Sequence, residues 1–201
     1  MKQKRSGFTL IELLVAIFII LVLIALLTVG LRALTASANE RATRQMLANC
    51  VGMMTEMDAR VPLARSEVGT YVFLNTYTQP VAAPGKVLAD HPDRLGPAVQ
   101  RTGEVLKRFR QLPNNKKVFE QLPQEKVMSL PGVTPGTQVA VLLDAWNNPI
   151  IFVTPGGLSG VRLKDAGVIT RLSPDGKPFF ASAGPDGDFQ TGDDNLYSFE
   201  N

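Results

Sequence analysis

Two groups of residues in this 201-residue chain have types and spacings that could do chemistry. The first is Glu12, a single carboxylate set in the apolar run that follows Gly7-Phe8-Thr9-Leu10-Ile11. An acidic side chain at the centre of a membrane helix costs about 2.5–3.5 kcal/mol on insertion scales, so a charge kept there points to a use for it. The second group is the acidic loop from Ser182 to Asn195, where Asp186, Asp188, Asp193 and Asp194 fall close together among glycines. Crowded like charges repel unless a cation or water separates them. Calcium takes six to eight oxygen ligands in flexible geometry, and a turning loop of aspartates and carbonyls supplies them. With no histidine or cysteine nearby, a hard cation suits the loop better than zinc. An EF-hand does not account for it, since Thr191 takes the glycine position and Tyr197 that of the bidentate glutamate. Composition alone leaves a solvent-exposed Asp/Gly turn as open as a cation site.

Other chemistry has little to build on. The one histidine, His91, lies between Asp90 and Pro92, a loop context that reads as solvated. The one cysteine, Cys50, rules out an intramolecular disulfide and falls in an apolar helical stripe, where it reads as a small core residue. Gly156-Gly157-Leu158-Ser159-Gly160 lacks the Lys-Ser/Thr ending of a phosphate loop and reads as a β-turn or flexible loop. No nucleophile–base pair can be named, which points away from an enzyme. The formal charge of +3 is matched by three basic residues at the extreme N-terminus, Lys2, Lys4 and Arg5. The rest of the chain is balanced and does not call for nucleic acid as a bulk partner.

The elements that must position these groups follow from periodicity. Residues 13–31 carry no charge, about the length that spans a bilayer as helix. The basic residues before them favour a cytoplasmic N-terminus and place the C-terminal part outside the cytoplasm. Leu31, Leu34, Ala38, Ala42, Met46, Cys50, Met54 and Met57 recur every three or four residues with charges between them, and no proline intervenes before Pro62. The spacing predicts one helix from about Phe8 to about Arg60, apolar all round in its first half and amphipathic in its second. Between Pro62 and Pro131, Tyr71-Val72-Phe73-Leu74 reads as a short strand, and 96–112 and 116–128 as short helices, the second broken at Pro123. Glu104, Glu120 and Glu125 interleave with the basic residues there, as on a solvated helix face. Short apolar or alternating runs at 138–143, 149–154, 177–182 and 195–199, punctuated by Asp-Gly and Gly-Gly pairs, predict a small antiparallel sheet packed on the second half of the long helix, an α+β arrangement.

Three fates are open to the N-terminus: a signal peptide cut after Ala36-Ser37-Ala38, an uncleaved anchor, or cleavage after Gly7. Only the third gives Glu12 a reason. The basic leader, Gly7, Phe8 and Glu12 in this order resemble the processing site of the type IV pilin and pseudopilin superfamily. That resemblance implies a pilin-like fold, a prepilin peptidase that cuts after Gly7 and methylates the Phe8 amine, and a Glu12 that neutralises the terminal amine of a neighbouring subunit during assembly. A contact repeated head to tail without closure builds a filament.

Ser182, Asp186-Gly187 and Asp193-Asp194 resemble the C-terminal calcium loop of major type II secretion pseudopilins. Asp144-Ala145-Trp146-Asn147-Asn148-Pro149 resembles their Asp-x-Trp-Gly-x-Pro element, with Asn147 replacing glycine and Trp146 read as a core anchor. The implied ligands are Asp186, Asp193 and Asp194, with Ser182 and Asp188 beside them. The implied division is a cleaved leader at 1–7, a transmembrane half-helix at 8–31, a soluble half-helix at 32–61, a variable insertion with short helices at 62–131 and a C-terminal β region at 132–201. The expected role is a pseudopilus subunit anchored once in a bacterial inner membrane with its C-terminal domain in the periplasm. It would assemble with other pseudopilin or pilin subunits on a membrane platform and help export folded proteins. Alternatives are a type IV pilin for adhesion, motility or DNA uptake, and a signal-anchored calcium-dependent binding domain or hydrolase.

Overall fold

A computed structural model of the chain describes residues 10–60, 97–132, 136–153 and 155–200. Gly7, Phe8, the 71–74 strand and His91 lie outside the described residues. The architecture is α+β and divides into two compact units, residues 1–39 and 40–201.

The long helix expected from the uninterrupted pattern is present as α1, Leu10–Arg60, unbroken through Val29 and Gly30. In the first unit the helix has a stretch apolar and long enough to cross a membrane, Leu10–Thr28. Its large apolar side chains up to Leu27 are 42–82 % exposed. A helix apolar on every side and this exposed among the described residues suits lipid or other chains around it.

In the second unit α1 becomes one-sided. Thr43, Met46, Leu47, Cys50, Met53 and Met57 are buried, while Ala42 is exposed and Met54 half-buried. The buried stripe is thus rotated from the one that spacing predicts, because tertiary partners choose among several semi-apolar faces. Cys50 is fully enclosed, and burial pushes its thiol up to about 12, which makes it a core residue with an unreactive thiol.

Two further helices pack into the same core. Helix α2, Pro97–Phe109, buries Val99, Val105, Leu106 and Phe109. Helix α3, Pro113–Glu120, opens on a proline, whose missing N–H costs nothing at that position. Asn115 of α3 is buried and donates through Nδ2 to the Met53 carbonyl of α1 at 2.9 Å.

Among the described residues, strands β1 to β7 form three antiparallel sheets. Strand β1, Val127–Pro131, pairs with β2, Gln138–Leu142, from Val127 opposite Leu142 to Pro131 opposite Gln138. Strand β3, Ile151–Val153, β6, Phe179–Ser182, and β7, Leu196–Tyr197, form a three-stranded sheet in the order β3-β6-β7. Strands β4, Leu158–Leu163, and β5, Gly167–Arg171, make a hairpin with a register shift between Ser159 and Val161.

Two sequence expectations are corrected here. Residues 116–128 end not in helix but in a 3-10 turn, Gln124–Lys126, and then β1, so the β region begins before residue 132. The glycine-rich 156–160 stretch turns at its start and then enters β4, with Leu158 fully buried.

Helix α2 lies against β2 and β3. Thr102 donates to the Ala98 carbonyl at 2.9 Å and accepts the Phe152 N–H at 2.8 Å, which pairs a buried polar group at each end. Gly103 allows the approach to β2, since a Cβ there would overlap the Val139 side chain. Phe180 meets Phe109 and Phe152 edge to face in this core. Each fully buried Phe, Leu or Ile contributes about 1.5–3 kcal/mol, so the second unit has a core able to hold without a disulfide.

The chain end is fastened as well. Arg171 lies over the rings of Tyr197 and Phe199 and pairs with Glu200, whose carbonyl also accepts from Arg44 of α1 at 3.3 Å.

Candidate functional site

The turn from Asp144 to Asn148 joins β2 to β3. It is closed by a Leu143–Pro149 bridge, by Asp144 N–H to the Asn148 carbonyl at 2.8 Å, and by Ile150 N–H to the Leu142 carbonyl at 2.9 Å. Asp144 organises it from within, its Oδ1 accepting from the N–H groups of Trp146 (2.9 Å) and Asn148 (2.8 Å). Asn147 stands at φ 68°, the left-handed region where glycine is at home and asparagine is among the few tolerated replacements. The position where the resembled element has glycine is thus the one that needs it. Lys126 holds the same residue by donating to Asn147 Oδ1 at 2.8 Å and to the Ala145 carbonyl at 3.2 Å. Trp146 is half-buried against the core, as expected of an anchor.

This turn meets three other parts of the fold. Thr43 of α1, fully buried, accepts the Ala145 N–H at 3.1 Å. Ser182, at the end of β6 and fully buried, donates to Asp144 Oδ2 at 2.6 Å and accepts the Gly184 N–H at 3.1 Å. Asn148 Nδ2 donates to the Gly184 carbonyl at 2.7 Å. The two stretches that sequence order singles out separately are therefore one hydrogen-bonded unit. Nothing local in the sequence pairs Asp144 with Ser182, which are 38 residues apart. Burial raises the Asp144 carboxyl to about 6, against the lowering effect of its bonds to Ser182, Asn148 and Trp146 and of the Lys126 charge.

Beyond Ser182 the acidic loop turns through a 3-10 segment, Gly184–Asp186. Gly184 has φ 68° and lies so close to Asp194 that a Cβ would strike the Asp194 carbonyl. Asp186 Oδ1 accepts the Asp188 N–H at 2.9 Å, and Asp188 Oδ1 accepts the Gln190 N–H at 2.9 Å. The Thr191 hydroxyl sits between the Asp186 carboxylate and the Asp188 carbonyl. Strand β4 holds the middle of the loop, Arg162 N–H donating to the Gln190 carbonyl at 2.7 Å and Gly192 N–H to the Arg162 carbonyl at 2.8 Å. Asp193 forms an exposed ion pair with Lys164 at 3.3 Å.

Asp194 is the electrostatically stressed member. Burial first, then the facing Asp186 and the adjacent Asp193, push its carboxyl above the ordinary range. Asn195, 6 % exposed, spans the loop by donating to the Phe189 carbonyl at 3.1 Å and to the Tyr197 hydroxyl at 3.1 Å. Its buried Oδ1 has no hydrogen-bond partner among the described residues.

Among the described residues no three Asp, Glu, His or Cys side chains gather about one point, so a cage made only of carboxylates is not formed. Calcium accepts amide and carbonyl oxygens and water beside carboxylates. Asp186, Asp194 and the unpartnered Asn195 Oδ1 are oxygen donors of that mixed kind carried on one loop. Ser182, expected among the ligands, is instead spent inward: its proton goes to Asp144 and its oxygen to the Gly184 N–H. Asp188 caps the backbone at Gln190, and Asp193 faces Lys164. Sequence order does not mark Asp144 or Asn148 as neighbours of this loop.

Glu12 falls in the first turn of α1 on the exposed apolar helix.

The prokaryotic N-terminal methylation motif matches residues 2–28. It supports the type IV pilin and pseudopilin class, and it implies processing by a prepilin peptidase and assembly with other pilin-like subunits. Together with the apolar helix it supports membrane anchoring. Neither a curated protein nor a solved structure matches the chain.

Proposed function

We propose that the chain is a pseudopilin-like structural subunit, cut after Gly7, methylated on Phe8 and assembled from a bacterial inner membrane into a short filament that helps export folded proteins. The observation that carries the reading is the methylation motif over residues 2–28, with Glu12 at the head of a helix apolar on every side. A new Phe8 amine and the Glu12 carboxylate of a neighbouring subunit are opposite charges in a low dielectric, costly apart and strongly attracted together. The union of the Asp144 turn with the acidic loop favours the secretion pseudopilus over a surface pilus, since both stretches resemble major pseudopilins.

Mass spectrometry of the chain purified from membranes tests the processing. N-methylated Phe8 is the expected mature terminus; a chain beginning at Asn39, or one retaining Met1, removes the filament reading.

Within this proposal the acidic loop takes a calcium ion, with Asp186 and Asp194 as side-chain ligands, Asn195 Oδ1 and backbone carbonyls completing the set, and Asp193 at its edge. Calcium supplies the charge that relieves the Asp186–Asp194 repulsion. Calcium added to the full chain in detergent micelles is expected to raise its melting temperature by several degrees, and Asp194→Asn to abolish most of that rise. An unchanged melt on adding calcium or a chelator argues that the loop's own hydrogen bonds suffice.

A further inference from the structure

We propose that the α2–α3 corner is a docking surface for a second copy of this chain, and that it receives the negatively charged C-terminal face of that copy. The inference rests on the assembly with pilin-like subunits that the methylation motif implies, and not on the calcium reading. Charge is divided between two parts of the second unit. Residues 97–126 carry seven Lys or Arg against three Glu, whereas residues 163–200 carry three Lys or Arg against seven Asp or Glu. Lys107, Arg108, Arg110, Lys116 and Lys117 are exposed and flank one turn, with no acidic residue in sequence between Lys107 and Lys117. Lys107 and Lys116 reach Glu104 and Glu120 only at 3.7 and 3.8 Å, in exposed pairs that water and salt weaken. Arg110 is better fixed, its guanidinium lying 4.4 Å over the ring of the buried Phe119. Stacking leaves the N–H groups at the edge of the guanidinium for a carboxylate, and a side chain already held loses little entropy on docking.

The two parts are fastened at different heights along α1. The corner is tied by Asn115 to the Met53 carbonyl at 2.9 Å and by Asn114 to Glu56 at 3.1 Å. The acidic part is tied nearer the membrane-length stretch. Its Ser182 bonds to the turn that meets Thr43, and its Glu200 meets Arg44. At 1.5 Å per residue these anchors are about 15–20 Å apart along the helix. A shift of one copy along the helix direction therefore brings its corner level with the acidic face of the next. Such a contact joins two different surfaces, so it repeats without closing. It also supplies a register, because charge complementarity fixes which residues meet. The first half of α1, apolar on every side, offers little to choose one axial step over another. Glu104, Glu120 and Glu125 stand among the cations of the corner, which suits the mixed face of a protein better than a continuous phosphate backbone.

The test mixes ordinary and isotope-labelled full chain in detergent micelles and treats the mixture with a carbodiimide, which joins an ammonium group to a carboxylate without a spacer. Mass spectrometry is expected to find links between light and heavy copies, from Lys107, Lys116 or Lys117 to Asp165, Asp188 or Asp193. Their yield should fall as salt is raised from about 50 to about 500 mM. Two charge-reversed chains, Lys116→Glu with Lys117→Glu and Asp165→Lys with Asp193→Lys, alter exposed residues. Each alone is expected to self-associate about five-fold or more weakly by sedimentation, and an equal mixture of the two to recover the wild-type value. Recovery on mixing is a result that damage to folding would not give. Unchanged association of the reversed chains, or a loss that mixing does not repair, overturns the docking surface. Links absent from the corner, together with duplex DNA retained by wild type and released by the lysine reversal, assign the corner to nucleic acid instead. A wild-type chain that stays monomeric also removes the inference, while the mature Phe8 terminus decides the filament reading separately.

Discussion

Asp144→Ala is expected to destabilise the chain by about 3–4 kcal/mol, and Asp144→Asn by much less. The carboxylate accepts two backbone N–H groups and the Ser182 hydroxyl while being fully buried. Alanine removes all three bonds at once and leaves buried donors unpaired, at about 1–3 kcal/mol for each that water cannot reach. Asparagine keeps an oxygen for Trp146 and Asn148 and turns an amide toward Ser182, whose oxygen can accept. Denaturant unfolding of the full chain in micelles measures both. A second consequence separates the carboxylate from the amide. The folded chain holds the Asp144 carboxyl at about 6, above its ordinary 3.8, so folding disfavours the ionised form. Its contribution is fully present below the ordinary value, is lost as pH rises toward 6, and stays lost above that. A rise of this size corresponds to about 3 kcal/mol. The stability difference between wild type and Asp144→Asn is therefore expected to move by most of that amount in favour of asparagine between pH 4 and pH 7. A difference that stays flat would place the carboxyl at its ordinary value and assign its role to geometry alone.

The residues that make this unit show what a sequence can and cannot tell. The span of α1 is legible because nothing interrupts it: no proline, no glycine pair, and an apolar first half that tolerates only helix in a bilayer. Which face it buries is less legible. Thr43 is polar yet wholly enclosed, since its hydroxyl accepts the Ala145 N–H, and no local pattern announces a partner 102 residues away. Strand β1 is obscured for the same reason. Its pairing with β2 decides its state, while the residues before it read as helix. The β4–β5 hairpin is polar, glycine-rich and largely exposed, so alternation is weak there and its register shift near Gly160 blurs it further. In the acidic loop the residue types are informative and their roles are not. The aspartates stand out by charge, but two of them cap the backbone and a third pairs with Lys164, and only burial and proximity single out Asp194. Ser182 stands out by its order in the motif, whereas its function as the bolt between loop and turn needs Asp144 in view.

Gly184→Ala is expected to cost about 3 kcal/mol or more, and comparison with Gly167→Ala shows why. Both glycines have positive φ, 68° at Gly184 and 70° at Gly167. An L-residue in that conformation costs about 1–2 kcal/mol wherever it occurs. At Gly167, in the β4–β5 hairpin, a Cβ would meet nothing within 4 Å, so the conformational term is the whole penalty. At Gly184 the Cβ would fall on the backbone carbonyl of Asp194, which cannot swing aside as a side chain does. Relief requires moving either the 3-10 segment or the strand entrance after Asp194, and with them the Asn148–Gly184 and Ser182–Gly184 bonds. Overpacking of that kind adds about 1–3 kcal/mol. Unfolding of the two variants side by side should therefore give a markedly larger loss at Gly184, and the Gly184 variant should also lose its calcium-induced rise in melting temperature while the Gly167 variant keeps it. Equal losses would mean that the loop can separate from Asp194 without cost. The close approach of its two ends would then not hold Asp186 and Asp194 together against their mutual repulsion.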